Sequence, residues 1–123
     1  EVIDSRYKDF KFDLKSVIAD NSSSSRFLTG GVAKPVSELD LKTLGVVMMI
    51  NGEVVQTGAG AAVLGHPASS VAMLANMLAE RGEMLKAGTF IMIGAITAAV
   101  SVNKGDSFTV LFDGLGSISG RCV

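Results

Sequence analysis

The chain has 123 residues, with 11 basic and 12 acidic side chains and 48% hydrophobic residues. That length and composition suit one globular domain, and the near-neutral charge excludes a nucleic-acid binder that depends on electrostatic attraction. The single cysteine cannot form an internal disulfide, so nothing requires an oxidising compartment and a cytoplasmic location is expected.

The N-terminal part of the chain predicts short elements around a polar loop. Phe10 and Phe12 alternate with charged residues, which is typical of a half-buried strand. Residues 14–19 suit one or two helical turns. Residues 20–25 are an aspartate, an asparagine and four serines, which favour a turn because they hydrogen-bond to their own backbone. Residues 26–29 predict a short strand.

The strongest local pattern is a hairpin. Two β-rich runs, residues 46–50 and 53–57, flank Asn51 and Gly52. Both of these residues tolerate the positive φ angles that a two-residue hairpin turn needs. The sequence therefore predicts two antiparallel strands joined at this turn.

One principal helix is expected over residues 67–82. Pro67 suits the first helical position because its missing N–H would be unpaired there in any case. Apolar residues and alanines then recur with a period of about 3.6. Gly82 is a candidate left-handed cap at the end of the helix.

The remainder of the chain predicts strands. They are expected at residues 89–93, 96–102, 108–112 and 117–121, with turns at 103–106 and 113–114. The uncharged run from Ala87 to Val102 is shorter than the ~20 residues of a membrane-spanning helix, so no membrane partner is expected. The predicted fold class is α/β, mainly β, with a mixed roll or barrel-like sheet and one principal helix.

Three small motifs leave alternatives open. Residues 58–63 and Glu80 faintly match a dinucleotide fingerprint, but the third glycine is missing and close packing of small residues explains the run as well. His66, the only histidine, is a helix cap or a general base. Cys122 is an inert small residue or a reactive thiol.

Acidic and hydroxyl side chains are concentrated near the N-terminus. Four carboxylates lie in the first thirteen residues: Glu1, Asp4, Asp9 and Asp13. They form either a solvated face or part of a site for a hard cation such as Mg²⁺. The serines of residues 22–25 belong to a flexible loop or to a loop that contacts a small polar ligand, because no nucleophile elbow is present.

Six stretches taken together resemble the hydratase/decarboxylase branch of the fumarylacetoacetate hydrolase superfamily. They are residues 1–6 (EVIDSR), 19–23 (ADNSS), 58–67 (GAGAAVLGHP), 86–89 (KAGT), 96–100 (ITAAV) and 114–117 (GLGS). Within that branch, residues 7–12 (YKDFKF) and 24–27 (SSRF) are more similar to the decarboxylases than to the hydratases. The resemblance implies the fold of that superfamily.

The resemblance also implies a reaction. Mg²⁺ or Mn²⁺ would bind a small dicarboxylic 2-oxo acid, 2-oxohex-3-enedioate, which would lose CO₂ to give 2-hydroxypenta-2,4-dienoate in the meta-cleavage degradation of aromatic compounds. The alternatives are the hydratase of the same branch, which adds water to that product, and a non-catalytic fragment or assembly subunit. A homo-oligomer and a complex with the pathway hydratase are also implied.

The resemblance assigns Glu1 as one metal ligand. Family members add a Glu-x-Glu pair that residues 1–123 lack, and the chain starts without an initiator Met, so it is expected to be the C-terminal part of a single catalytic domain. The implied substrate contacts are Asn21, Ser22, Ala95 and Thr97, and the implied supports of the Glu1 strand are Asp4 and Arg6.

Overall fold

The computed structural model describes residues 1–123, which form two antiparallel sheets and two α-helices. The small sheet pairs β1 (Val2–Ile3) with β2 (Ser24–Arg26). The larger sheet has the order β4–β3–β5–β6. Its strands are β3 (Gly45–Ile50), β4 (Glu53–Ala59), β5 (Ser107–Phe112) and β6 (Gly116–Arg121). The helices are α1 (Leu14–Ala19) and α2 (Pro67–Ala79), and four short 3₁₀ turns span Lys8–Phe10, Asn21–Ser23, Val36–Glu38 and Gly60–Ala62.

The hairpin between β3 and β4 is confirmed. Asn51 and Gly52 have φ angles of 52° and 86°, as a two-residue turn that continues the strand twist requires. The Asn51 side chain also accepts from the Ser107 N–H at 2.9 Å and donates to the Asp106 carboxylate at 2.8 Å. These hydrogen bonds hold the turn against the start of β5. The hydrogen bond from Asn51 also lowers the pKa of Asp106 below its ordinary value.

The principal helix is confirmed, and it ends slightly before its expected limit. His66 caps it, with Nδ1 accepting from the Ala68 N–H at 3.1 Å, and Pro67 occupies the first turn. The regular helix ends at Ala79, and Gly82 follows with a φ of 72°, the expected left-handed cap. The capping interpretation of His66 is the one that the structure supports.

Residues 60–79 are apolar enough, by length and composition, to match a membrane-spanning helix. Leu64 and Gly65 have φ angles of 50° and 80°, however, and break the stretch before α2 begins. The 13 residues of α2 rise only about 20 Å, whereas a bilayer core is about 30 Å thick. The geometry of α2 is therefore that of a short helix, and the expectation of no membrane partner stays a prediction.

Two strand predictions near the N-terminus need correction. Residues 8–12 do not form a strand, because positive φ angles at Asp9 and Phe10 (57° and 53°) turn the chain. The rings of Phe10 and Phe12 instead pack edge to face, with centroids 4.9 Å apart. The strand expected at 26–29 lies at Ser24–Arg26, because β1 pairs with these residues.

The strands expected at 89–93 and 96–102 are not formed. Residues 90–102 take part in no backbone hydrogen bond, although the segment packs beside β4. A Cβ built at Gly58 would lie 2.7 Å from the Cγ2 of Ile96 and 3.2 Å from that of Thr97. Residues 90–102 have the apolar composition of strands, but no neighbouring strand supplies backbone hydrogen bonds to them. They therefore form an extended segment and not a strand.

Little of the chain is buried. The accessible surface is 8831 Å² for 12.7 kDa, whereas a compact monomer of that mass exposes about 6,200 Å². The buried apolar side chains are Val46, in the central strand β3, and Val63, in the turn before α2. The sheets are therefore held mainly by their ladders, and large apolar surfaces remain available for packing.

Candidate active site

The small sheet brings Glu1 against β2. Val2 and Ile3 pair with Arg26 and Ser24, and the side chain of Glu1, the residue before β1, reaches the first residue of β2. The Ser24 hydroxyl donates to Oε1 of Glu1 at 2.7 Å. Glu1 is otherwise exposed, and its second carboxylate oxygen makes no hydrogen bond. One oxygen is thus held by the protein while the other faces solvent.

Arg6 and Asp20 form an ion pair behind this carboxylate. The Arg6 Nε donates to the Asp20 carboxylate, and its Nη2 donates to the Asp20 carbonyl oxygen. Its Nη1 donates to the carbonyl of Asp4 at 3.0 Å and to that of Ser24 at 3.4 Å. One guanidinium therefore joins the chain after β1, the end of α1 and the first residue of β2.

Asp20 is 6% exposed and stays ionised. Burial alone would raise its pKa, but hydrogen bonds from the Ser23 hydroxyl and from Arg6, together with the Arg6 charge, outweigh burial and lower that pKa below its ordinary value. The Ser23 hydroxyl lies 2.9 Å from Oδ2, and Ser23 is 1% exposed. A buried carboxylate paired in this way is a fixed structural charge at neutral pH.

The loop after Asp20 has an uncommon backbone. Asn21, Ser22 and Ser23 have φ angles of 51°, 55° and 58°, a left-handed conformation that residues with a Cβ seldom adopt. The Ser23 N–H donates to the Asp20 carbonyl at 2.9 Å, which closes the turn. The side chains of Asn21 and Ser22 are exposed, so they are available to a ligand.

The remaining residues expected at the site are distributed unevenly. The Asp4 carboxylate makes no hydrogen bond, and this residue contributes through its backbone, whose N–H donates to the Ser23 carbonyl at 2.8 Å. Thr97 lies against Gly58 of β4, and no hydrogen bond joins Ala95 or Thr97 to the Glu1 group. The carboxylate to which the sequence interpretation gave no role is Asp20, which begins the polar loop and lies within the resembling stretch 19–23.

The carboxylates near the N-terminus do not gather into one cluster. No group of three or more His, Cys, Asp or Glu side chains is arranged to hold a metal ion. Asp13 caps α1 by accepting from the Ser16 N–H at 2.8 Å. Glu1 is a hard oxygen donor with a free oxygen, which suits one ligand position of a magnesium-type ion. Further oxygen ligands would have to come from other groups.

Other motifs have structural roles. A Cβ at Gly60 would overlap the carbonyl oxygen of Leu41 and lie 3.1 Å from Pro67, so the small residues of 58–63 serve close packing. The Ser23 and Ser24 hydroxyls donate to the carboxylates of Asp20 and Glu1, where they hold those side chains in place.

A cleft at the end of the larger sheet contains none of the expected site residues. It encloses about 720 Å³ around the end of the larger sheet, and Asp113 is its only ionisable residue. With a single charge among threonines, glycines and apolar residues, it has the character of a packing surface. The chemistry of the chain is concentrated at the small sheet.

The model of the protein family described as "Fumarylacetoacetate (FAA) hydrolase C-terminal" matches residues 3–123. The chain belongs to this family. It is 68% identical over 123 residues to 4-oxalocrotonate decarboxylase of Pseudomonas putida, covering 100% of this chain and 47% of that protein. It is 37% identical over 119 residues to 2-keto-4-pentenoate hydratase 1 of Dechloromonas aromatica (strain RCB), covering 97% and 45% of the two chains.

A solved structure shares the fold. It is the 4-oxalocrotonate decarboxylase of Pseudomonas putida G7, complexed with magnesium and adipate, with a TM-score of 0.95 and 68% identity. The match covers 100% of this chain and 47% of that one. The fumarylacetoacetate-hydrolase-like fold expected from the resemblance is therefore confirmed, and the chain spans about half the length of the relatives that it matches.

Proposed function

We propose that the protein carrying this chain decarboxylates 2-oxohex-3-enedioate to 2-hydroxypenta-2,4-dienoate and CO₂ in the degradation of aromatic compounds. The observation that carries the proposal is 68% identity to a decarboxylase over all 123 residues, against 37% to a hydratase. Adipate, bound in the related structure, is a dicarboxylate with the same number of carbons as this substrate. A lyase that releases CO₂ needs no nucleophile, which suits serine hydroxyls that are already bonded to carboxylates.

The reaction balances with one proton from water as the only further reactant. The bond between C5 and the distal carboxylate breaks, and its electron pair moves through the conjugated chain to the C2 oxygen, which then takes a proton. A divalent cation, when bound, supplies positive charge near that oxygen and so lowers the barrier. Mg²⁺ is our first choice because the related structure contains it, and Mn²⁺ is a further candidate.

Residues of this chain would bind and orient the substrate. Glu1 would provide one metal ligand, with its free oxygen toward the ion and the other oxygen held by Ser24. Asn21 and Ser22 would donate hydrogen bonds to a substrate carboxylate, since both side chains are exposed in the loop that leads into Ser24, whose hydroxyl holds Glu1. Ala95 and Thr97 remain proposed substrate contacts on the resemblance alone.

We further propose that the other metal ligands, a Glu-x-Glu pair, lie outside residues 1–123, so that this chain is the C-terminal part of one catalytic domain in a cytoplasmic protein. The absence of a three-ligand cluster within the chain supports this. An accessible surface of 8831 Å², well above that of a compact monomer, is compatible with packing against that part and with assembly as a homo-oligomer or with the pathway hydratase.

The test is product analysis with the full-length protein, Mg²⁺ and 2-oxohex-3-enedioate. The proposal expects one CO₂ per substrate and a five-carbon dienoate. Glu1→Gln, which keeps the size of the side chain, should weaken Mg²⁺ binding and activity, whereas Glu53→Gln in β4 should leave both unchanged. A second reaction is supplied with 2-hydroxypenta-2,4-dienoate: its hydration with all carbons retained, without CO₂ release in the first reaction, would favour the hydratase. Absence of both reactions would favour a non-catalytic role.

A further inference from the structure

Asp20 and Arg6 lie next to the proposed site, and neither side chain bonds to the Glu1 carboxylate or to the side chains of Asn21 and Ser22. Each acceptor of Asp20 is already used: Oδ1 by the Arg6 Nε, Oδ2 by the Ser23 hydroxyl, and the carbonyl oxygen by Ser23 N–H and Arg6 Nη2. With the residue 6% exposed, its carboxylate is largely shielded from solvent. Asp20 is thus placed to hold other groups and not to bind a ligand itself.

We infer that Asp20, through Arg6, is a positioning residue that fixes the Glu1 carboxylate relative to the Asn21–Ser22 loop. The inference rests on the proposed function, since it takes Glu1 as a metal ligand. The Arg6 guanidinium contacts backbone carbonyls on both sides of the small sheet, at Asp4 and at Ser24. Ser24 is also the residue whose hydroxyl holds Glu1.

The small sheet needs such a device because its strands are very short. β1 has two residues and β2 has three, and their register shifts between Val2 and Ile3. An isolated two-stranded ladder is marginal even at greater length. The ion pair supplies the geometric restraint that the ladder lacks, because Arg6 donates to both the carboxylate and the backbone carbonyl of Asp20.

The left-handed loop points to the same role. Three successive residues with a Cβ and a φ above 50° persist only where the surroundings over-determine them. Here the Ser23 hydroxyl and the Ser23 N–H both donate hydrogen bonds to Asp20. Release of this side chain would let the loop relax and would move Asn21, Ser22 and Ser24 relative to Glu1.

The experiment compares Asp20→Asn, Arg6→Lys and Ser23→Ala with wild type in the full-length protein. Isothermal titration calorimetry gives the Kd of Mg²⁺ without substrate, and steady-state assays give kcat and KM separately. Asp40→Asn is the matched control. Asp40 also accepts hydrogen bonds from a side-chain hydroxyl, that of Thr43, and from a backbone N–H, that of Lys42, but it lies in a different turn.

We expect Asp20→Asn to weaken Mg²⁺ binding by roughly 10- to 100-fold, the range for groups that orient a metal ligand, and to lower kcat/KM by a similar factor. Arg6→Lys keeps the positive charge but loses the several N–H donors of the guanidinium. Its Mg²⁺ binding should therefore weaken less than that of Asp20→Asn. The Mg²⁺ Kd and kcat/KM of Asp40→Asn should stay within about twofold of the wild-type values.

The inference is overturned if Asp20→Asn melts at a lower temperature but keeps its Mg²⁺ Kd and kcat/KM within about twofold of the control. If Asp20→Asn does not fold, Ser23→Ala decides in its place, since it removes one hydrogen bond to Oδ2 and should weaken Mg²⁺ binding measurably. A wild type that binds Mg²⁺ but releases no CO₂ refutes the proposed function alone, because the Mg²⁺ comparison still tests the positioning role. A wild type that binds neither Mg²⁺ nor Mn²⁺ overturns the positioning role, whereas CO₂ release still tests the proposed function.

Discussion

Substitution of Gly60 by alanine should destabilise the protein strongly. A Cβ at this position would overlap the Leu41 carbonyl oxygen and lie 2.9 Å from its carbonyl carbon, which belongs to rigid backbone. The surrounding turn also carries two hydrogen bonds, from Gly60 N–H to the Leu44 carbonyl at 3.0 Å and from Ala61 N–H to the Lys42 carbonyl at 2.7 Å. Relief of the overlap must pull these groups apart.

The expected cost follows from these contacts. Overpacking costs about 1–3 kcal/mol, and each of the two hydrogen bonds contributes about 1 kcal/mol. We therefore expect Gly60→Ala to lower the free energy of unfolding by about 3–5 kcal/mol, a large share of the 5–15 kcal/mol that is typical of a domain.

The assay is urea denaturation of the full-length protein, followed by far-ultraviolet circular dichroism. Gly45→Ala is the matched control, because Gly45 lies in the neighbouring strand β3 and a Cβ there meets nothing within 4 Å. The control should change the free energy of unfolding by less than about 0.5 kcal/mol. A Gly60→Ala protein as stable as this control would refute the packing argument and reopen the interpretation of residues 58–63.

Three further predictions concern single hydrogen-bonding groups. Ser24→Ala should weaken Mg²⁺ binding by roughly tenfold in calorimetry because Glu1 loses its donor, whereas Ser25→Ala should not. His66→Ala should lower the free energy of unfolding by about 1 kcal/mol because α2 loses its cap, and His66→Asn should restore it. Stability should fall in acid: Thr43 and Asn51 hydrogen bonds hold the pKa values of Asp40 and Asp106 below 3.8, so the stabilisation is full above that pH and is lost as pH falls through the folded-state values. Denaturation midpoints between about pH 5 and pH 2 would check this, and a flat profile would contradict it.

The two carboxylates of the small sheet have different environments and therefore different chemistry. Glu1 is exposed and held through one oxygen, which leaves the other available to a cation. Asp20 is buried, ionised and fully bonded, which makes it a support. The same type of side chain is a ligand in one place and a fixed anchor in the other because of what surrounds it.

Local chemistry in the sequence was enough for the hairpin and for the principal helix. Asn51 and Gly52 can adopt positive φ, and Pro67 and Gly82 mark where a helix starts and stops, so neighbours along the chain specify these elements. The resemblance likewise led to the family without any structure, and its assignment of Glu1 as a metal ligand stays a prediction. Each of these conclusions depends on residues that are close in sequence or on a pattern over the whole chain.

Tertiary structure decided the rest. Residues 90–102 have the composition of strands but make no ladder, because a strand exists only where a partner supplies hydrogen bonds. The same reason moved the strand expected at 26–29 to Ser24–Arg26. Asp20 looked like one more polar loop residue, and only the fold brings to it Arg6, which lies 14 positions away. Its burial and its bonds, which no local pattern contains, give it a role at the site.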